Sequence, residues 1–135
     1  YANYKKINNE VNIATRPLCA RLINESEPEK LYVSPCFLPN IFSGPYWIIY
    51  AGPSSNNYEW AIVGGGQPTL QKNDTCGYKL TGFKNSGLWL FSRKKILEQD
   101  KIDFLTGILK QKNVSTENLL NVTQEGCLYK NAFIK

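Results

Sequence analysis

Short apolar runs rich in β-branched and aromatic residues, set between polar turn-forming clusters, recur along most of the chain and read as strands rather than helices. Lys30-Leu31-Tyr32-Val33-Ser34 reads as a strand closed by Pro35 and Pro39. Pro45-Tyr46-Trp47-Ile48-Ile49-Tyr50 reads as another, because β-branched and aromatic residues dominate it. Gly52-Pro53-Ser54-Ser55-Asn56-Asn57 has the composition of a turn, so Tyr58-Glu59-Trp60-Ala61-Ile62-Val63 becomes its hairpin partner. Leu88-Trp89-Leu90-Phe91-Ser92-Arg93 is a further strand. Ahead of these, residues 1–6, 11–15 and 19–24 read as short strands, the first two separated by Asn8-Asn9.

The period changes once, over residues 97–113, where Ile102, Leu105, Ile108 and Leu109 recur at steps of three and four with Lys and Gln opposite. This predicts a helix. Residues 117–123 read as a short final strand, and residues 128–135 form a tail to which the pattern assigns no element. The polar connection 64–87, which contains Cys76, is longer than most and is predicted to be functional or tethered. Short successive strands with one late amphipathic helix describe an all-β fold, an antiparallel barrel or sandwich with the helix packed outside.

Composition narrows the chemistry. With 135 residues, 42% hydrophobic and 20% charged, the chain fits one globular domain. It has no His, so the usual general base and the commonest zinc ligand are missing. The longest apolar run, 46–51, is far short of the roughly 20 residues of a membrane-spanning helix. The absence of Met suggests a processed or clipped start. The net charge of +5 is scattered, densest at Arg93-Lys94-Lys95, and describes a solvated surface better than a nucleic-acid face.

Cysteines at 19, 36, 76 and 127 form no CxxC pair. They point to disulfides, and so to an oxidising compartment, rather than to a metal. Asn-x-Ser/Thr triplets begin at Asn24, Asn73, Asn113 and Asn121, more than the one or two expected roughly by chance, and mildly support secretion.

Several segments resemble the lipocalins in fixed order. Glu27-Pro28-Glu29-Lys30-Leu31-Tyr32-Val33 resembles the family's EPAKLxV strand entry, and Ser43-Gly44-Pro45-Tyr46-Trp47-Ile48-Ile49 resembles SGxYWVI. Residues 58–64 resemble YxYALVG, and Leu88-Trp89-Leu90-Phe91-Ser92-Arg93 resembles LWILSR. The helix and Thr123-Gln124-Glu125-Gly126-Cys127 resemble the family's C-terminal helix and closing Cys. The apolipoprotein D-like branch and its bacterial and plastid relatives are nearest, the plastid ones through Phe37-Leu38-Pro39-Asn40-Ile41. The resemblance covers residues 20–127.

It implies an up-and-down eight-stranded calycin-type barrel over residues 1–127, with the C-terminal helix packed outside and an apolar small molecule in the calyx. Matching strands implies a ligand set of Leu31, Val33, Tyr46, Ile48, Tyr50, Trp89 and Phe91, with Trp47, Ile49 and Leu90 facing out. It also implies that Cys19 pairs with Cys127, leaving Cys36 to pair with Cys76 beside the calyx mouth. Two departures stand out. The family's first strand, with its Gly-x-Trp signature, does not appear, so the Trp across which Arg93 would pack is unseen. Either that strand was removed or left out of this sequence, which is the expectation, or the barrel is open. The second departure is the insertion between Val63 and Leu88, and 50–58 also lacks the family's Thr-Asp-Tyr.

The function implied is transport or scavenging of a lipid, sterol, fatty acid or carotenoid in a secretory or organelle lumen, plastids included. No cofactor, metal or nucleic acid is implied. Catalysis is disfavoured, because a nucleophilic Cys here would have no His beside it. The alternative is a non-catalytic accessory subunit of a larger complex, with Trp47 and the tail 128–135 as contact surfaces; a membrane surface is a further partner left open.

Overall fold

A computed structural model of the chain describes residues 4–7, 10–13, 17–82 and 84–126. The strands are β1 (Tyr4–Ile7), β2 (Glu10–Ile13), β3 (Leu18–Leu22), β4 (Lys30–Pro35), β5 (Gly44–Ser54), β6 (Asn57–Gly64), β7 (Leu70–Lys72), β8 (Thr75–Gly77) and β9 (Leu88–Ser92). They are followed by the helix α1 (Gln99–Gln111). Among the described residues the fold is thus mostly β, with one α-helix towards the C-terminal end.

Five strands form an antiparallel meander in the order β3-β4-β5-β6-β9, while β1-β2 and β7-β8 are separate hairpins. Among the described residues β3 and β9 are the edges of this sheet, which does not close on itself. The meander follows from the sequence: each strand is short and rich in β-branched or aromatic residues, and each is separated from the next by turn-forming residues.

The helix forms where the apolar stripe was expected, with Asp100 in its first turn and Lys110 in its last, both favourable to the helix dipole. Its Leu105 and Leu109 are fully buried and pack with Ile62 of β6, Tyr78 and Val114. Trp60, Leu88, Leu90 and Ile49 border this cluster. Lys101 lies over the Trp60 ring at 4.1 Å from its centroid, a cation–π contact that ties the exposed flank of α1 to the sheet.

The long connection after β6 is ordered by this core rather than by a tether. Tyr78 inserts beside the helix, and its hydroxyl donates to the Gly66 carbonyl at 2.9 Å. A side chain at residue 64 would collide with the Tyr78 ring, so this approach needs glycine there. Cys76 then bridges to Val114, its N–H donating to Asn113 O at 2.9 Å and its carbonyl accepting from Ser115 at 2.8 Å.

Two expectations are corrected here. No strand forms at 117–123: Leu119 turns back, its N–H bonding Thr116 O at 3.1 Å, and packs on the core, while Leu120 and Val122 stay exposed. The cysteine pairing also differs, because the bond is Cys19–Cys36. Pairing of β3 with β4 sets Cys19 opposite Ser34, and Cys36 N–H reaches Pro17 O, so Cys36 arrives beside Cys19 with Cα atoms 4.9 Å apart. Cys76 is an exposed free thiol, and Cys127 and the tail lie outside the described residues.

Next to the disulfide, Arg21 holds the 36–43 loop. Its guanidinium donates to Ser34 Oγ, to Cys36 O at 3.2 Å and to Leu38 O at 3.3 Å. The buried Ser43 hydroxyl donates to Ser34 Oγ at 3.0 Å, so both buried serines are satisfied.

Leu105→Ala is expected to lower stability by about 2–5 kcal/mol, read as a reduced urea midpoint, because its fully buried side chain would leave a cavity. Reducing Cys19–Cys36, which spans 17 residues, is expected to cost about 3 kcal/mol, and non-reducing peptide mapping should recover this pair.

Candidate functional site

The sheet has two unlike faces, and strand register decides which residues share one. Leu31 lies opposite both Leu22 and Tyr46, Val33 opposite Gly44, Ile48 opposite Val63, Val63 opposite Trp89, and Ala61 opposite Phe91. Cross-strand partners point the same way, as do residues two apart on a strand. Leu31, Val33, Tyr46, Ile48, Trp89 and Phe91 therefore share the face opposite α1, with Val63 at its centre.

Val63 is buried, Leu31, Val33, Tyr46 and Ile48 are half-buried, and Trp89 and Phe91 are 43% and 37% exposed on the edge strand. The helix-side residues of β9, Leu88 and Leu90, pack on the core instead.

Tyr50 is the exception among the seven residues expected to line a ligand. A bulge interrupts the β5–β6 register between Ile48 and Tyr50, so that Tyr50 pairs with Ile62 rather than continuing the Tyr46–Ile48 row. It lies on the helix side, its ring meeting Phe104 edge-on at 5.9 Å between centroids. The strand match to the lipocalins, which implied Tyr50 beside Tyr46 and Ile48, carries no such bulge. Ile49 and Leu90 do pack toward the helix, and Trp47 lies on that side too, under Lys30, whose ammonium is 5.0 Å from the ring centroid.

Two small cavities adjoin at the end of the sheet where the 36–43 and 65–87 connections emerge. One of about 230 Å³ is lined by Pro45, Gly65, Leu80, Ser86, Gly87 and Trp89 among others. Its neighbour of about 220 Å³ shares Leu80, Gly87 and Trp89 and adds Tyr78, Leu88, Leu119 and Leu120. Of the seven expected ligand residues, Trp89 alone lines either cavity. The Gly87 backbone, at φ +85°, lies under the Trp89 ring so closely that a Cβ would collide with it. Tyr78, Leu80 and Gly87 were missed by the sequence reading, although the run Gly64-Gly65-Gly66 signals a close approach of backbone.

Arg93 stands at the opposite end of the sheet. Its Nε donates to the Tyr58 carbonyl and its N–H to Glu59 O at 3.0 Å, so it seals the end of the β6–β9 ladder. Among the described residues no group of His, Cys, Asp and Glu is placed to hold a metal ion, and no helix is long and apolar enough to cross a membrane.

No protein-family model matches the chain, and no curated protein matches it. The likeness to lipocalins rests on the sequence segments quoted above.

Tyr78, only 5% exposed and lining the second cavity, carries a consequence for pH. Burial pushes its hydroxyl up from the ordinary 10 to about 12, because the phenolate is poorly solvated there. The folded state thus holds this proton more tightly than the unfolded one. The stabilisation is complete below pH 10 and is lost as pH rises toward about 12. Urea midpoints measured across that window should fall more steeply for the wild type than for Tyr78→Phe.

Proposed function

We propose that this chain is a lipocalin-like binding protein that holds a small lipophilic molecule, such as a lipid, sterol, fatty acid or carotenoid, for transport or scavenging. The observation that carries this reading is the shared face of Leu31, Val33, Tyr46, Ile48, Trp89 and Phe91, four strands deep and opposite the helix. Apolar area left against water costs about 25 cal/mol per Å², and a ligand lying on this face recovers it. Tyr46 adds a hydroxyl that can orient a polar end, while Trp89 and Phe91 supply broad apolar rings.

In this reading the five-stranded meander is the larger part of an eight-stranded up-and-down calycin-type barrel spanning residues 1–127, completed by strands beyond the edges β3 and β9. Closing a sheet removes exposed edges and turns its apolar face into a calyx. The cavities around Trp89 then sit at the mouth, between the 36–43 and 65–87 connections. The Cys19–Cys36 disulfide favours an oxidising compartment, which we assign to a secretory or organelle lumen. No catalytic step is assigned.

A second reading is favoured by the exposure of Trp89 and Phe91 on an edge strand. The same face would then dock another chain, making the protein an accessory subunit of a larger complex.

The test is native mass spectrometry of the full chain as isolated, followed by titration with a fluorescent fatty-acid probe. A carrier shows an added mass of lipid size that disappears on denaturation. Trp89→Ala should weaken probe binding about tenfold, or about 1.4 kcal/mol, while Tyr50→Phe leaves it unchanged. A chain that binds no probe and carries no added mass overturns the carrier reading, and co-isolation with a stoichiometric partner across the Trp89 face replaces it with the subunit.

A further inference from the structure

The triplet Asn24-Glu25-Ser26 lies in the turn that joins β3 to β4, with all three residues exposed. Asn24 Oδ1 accepts two hydrogen bonds from Ser26, one from its backbone N–H at 3.1 Å and one from its hydroxyl at 2.8 Å. This is an Asx-turn in which the third residue of the triplet is folded onto the carboxamide of the first. The turn is braced by Glu27 N–H on Asn24 O at 3.2 Å, by Lys30 N–H on Glu27 O at 2.9 Å, and by a Lys30–Glu27 ion pair. Asn24 Nδ2 donates to Glu27 Oε2 at 3.2 Å, in an exposed setting.

We propose that Asn24 is an N-glycosylation site, modified by transfer from a polyprenyl-diphosphate-linked oligosaccharide. Two donors on Oδ1 stabilise the negative charge that gathers there as Nδ2 gives up a proton, which frees the nitrogen lone pair for attack. A bond forms between Nδ2 and the sugar C1, the bond from C1 to the diphosphate oxygen breaks with its electron pair, and polyprenyl diphosphate departs. The proton lost from Nδ2 is taken up by the solvent or transferring enzyme, so no electrons are gained or lost overall. The modification requires a lumenal route, consistent with the Cys19–Cys36 disulfide, and is independent of what the sheet face binds.

Position supports the choice of Asn24. The β3–β4 turn stands at the end of the sheet away from the two cavities, so a glycan there leaves the Trp89 region open. Two of the other triplets have less freedom. Asn73 and Asn113 hold φ of 51° and 54°, in the left-handed region, which Asn24 avoids. In the Asn113 triplet Val114 is buried, and the backbone on both sides of it is bonded to Cys76.

The protein isolated from its natural source should be treated with peptide-N-glycosidase F in ¹⁸O-water, digested, and mapped by mass spectrometry. The expected result is conversion of Asn24 to ¹⁸O-labelled Asp, with a fall in intact mass on treatment. In a secreting eukaryotic host, Ser26→Ala should abolish the label at Asn24, while Ser26→Thr, which keeps the hydroxyl, retains it. Unlabelled Asn24 in the source protein overturns the proposal, as does label confined to Asn73, Asn113 or Asn121. A label that survives Ser26→Ala also overturns it. The source measurement stands whether or not the variants are secreted.

Discussion

The packing of α1 on the β5–β6–β9 side of the sheet is the contact on which the rest of the molecule depends. Leu105, Leu109 and Ile62 are fully buried in one cluster, and the adjoining loops are arranged around it. Tyr78 lies at the edge of this cluster and Val114 closes it from the chain after the helix. The Cys76–Val114 bridge then fastens the long β6–β9 connection to the helix end. An insertion of this length would be costly to order by itself. Here it is ordered by one aromatic side chain in the core and a few backbone hydrogen bonds.

With the helix committed to one face, the opposite face of the meander becomes available for something else. Its residues are apolar, yet the fully buried large side chains other than Val63 lie on the helix side. The division is enforced residue by residue, because each step along a strand reverses direction. On β9, Leu88 and Leu90 serve the core and Trp89 and Phe91 the other face. The bulge in β5 is the point where the division is adjusted: it turns Tyr50 toward Phe104 while Tyr46 and Ile48 keep to the opposite side. At the far end of the meander, where the helix does not reach, Cys19–Cys36 and the Arg21–Ser34–Ser43 cluster supply local cross-links in place of a hydrophobic core.

Much of this is legible in the chain itself. Runs rich in β-branched and aromatic residues between turn signals located β4, β5, β6 and β9, a weaker alternation located β3, and the single change of period located α1, because these signals are local. The resemblance implied one ligand face for Leu31, Val33, Tyr46, Ile48, Tyr50, Trp89 and Phe91, and strand register sets all of these but Tyr50 on one side of the sheet. The excess Asn-x-Ser/Thr triplets were visible as well, but not the turn that distinguishes Asn24.

What only the tertiary structure decided concerns residues whose partners are distant in sequence or whose register slips. The final strand expected at 117–123 gave way to a turn, because Leu119 gains more from the core than from a ladder with no partner strand beside it. Tyr50 changed face because one inserted residue reverses every later side chain, and no local propensity marks the insertion. Cys19 paired with Cys36, one residue past the end of β4, because Cα separation, not order along the chain, governs which thiols meet. Tyr78 entered the core because Gly64 leaves room for it, a complementarity between residues fourteen positions apart that each, read alone, does not express. Local pattern determined the strands of the meander and the helix; close packing between distant residues determined register, cross-links and the shape of the site.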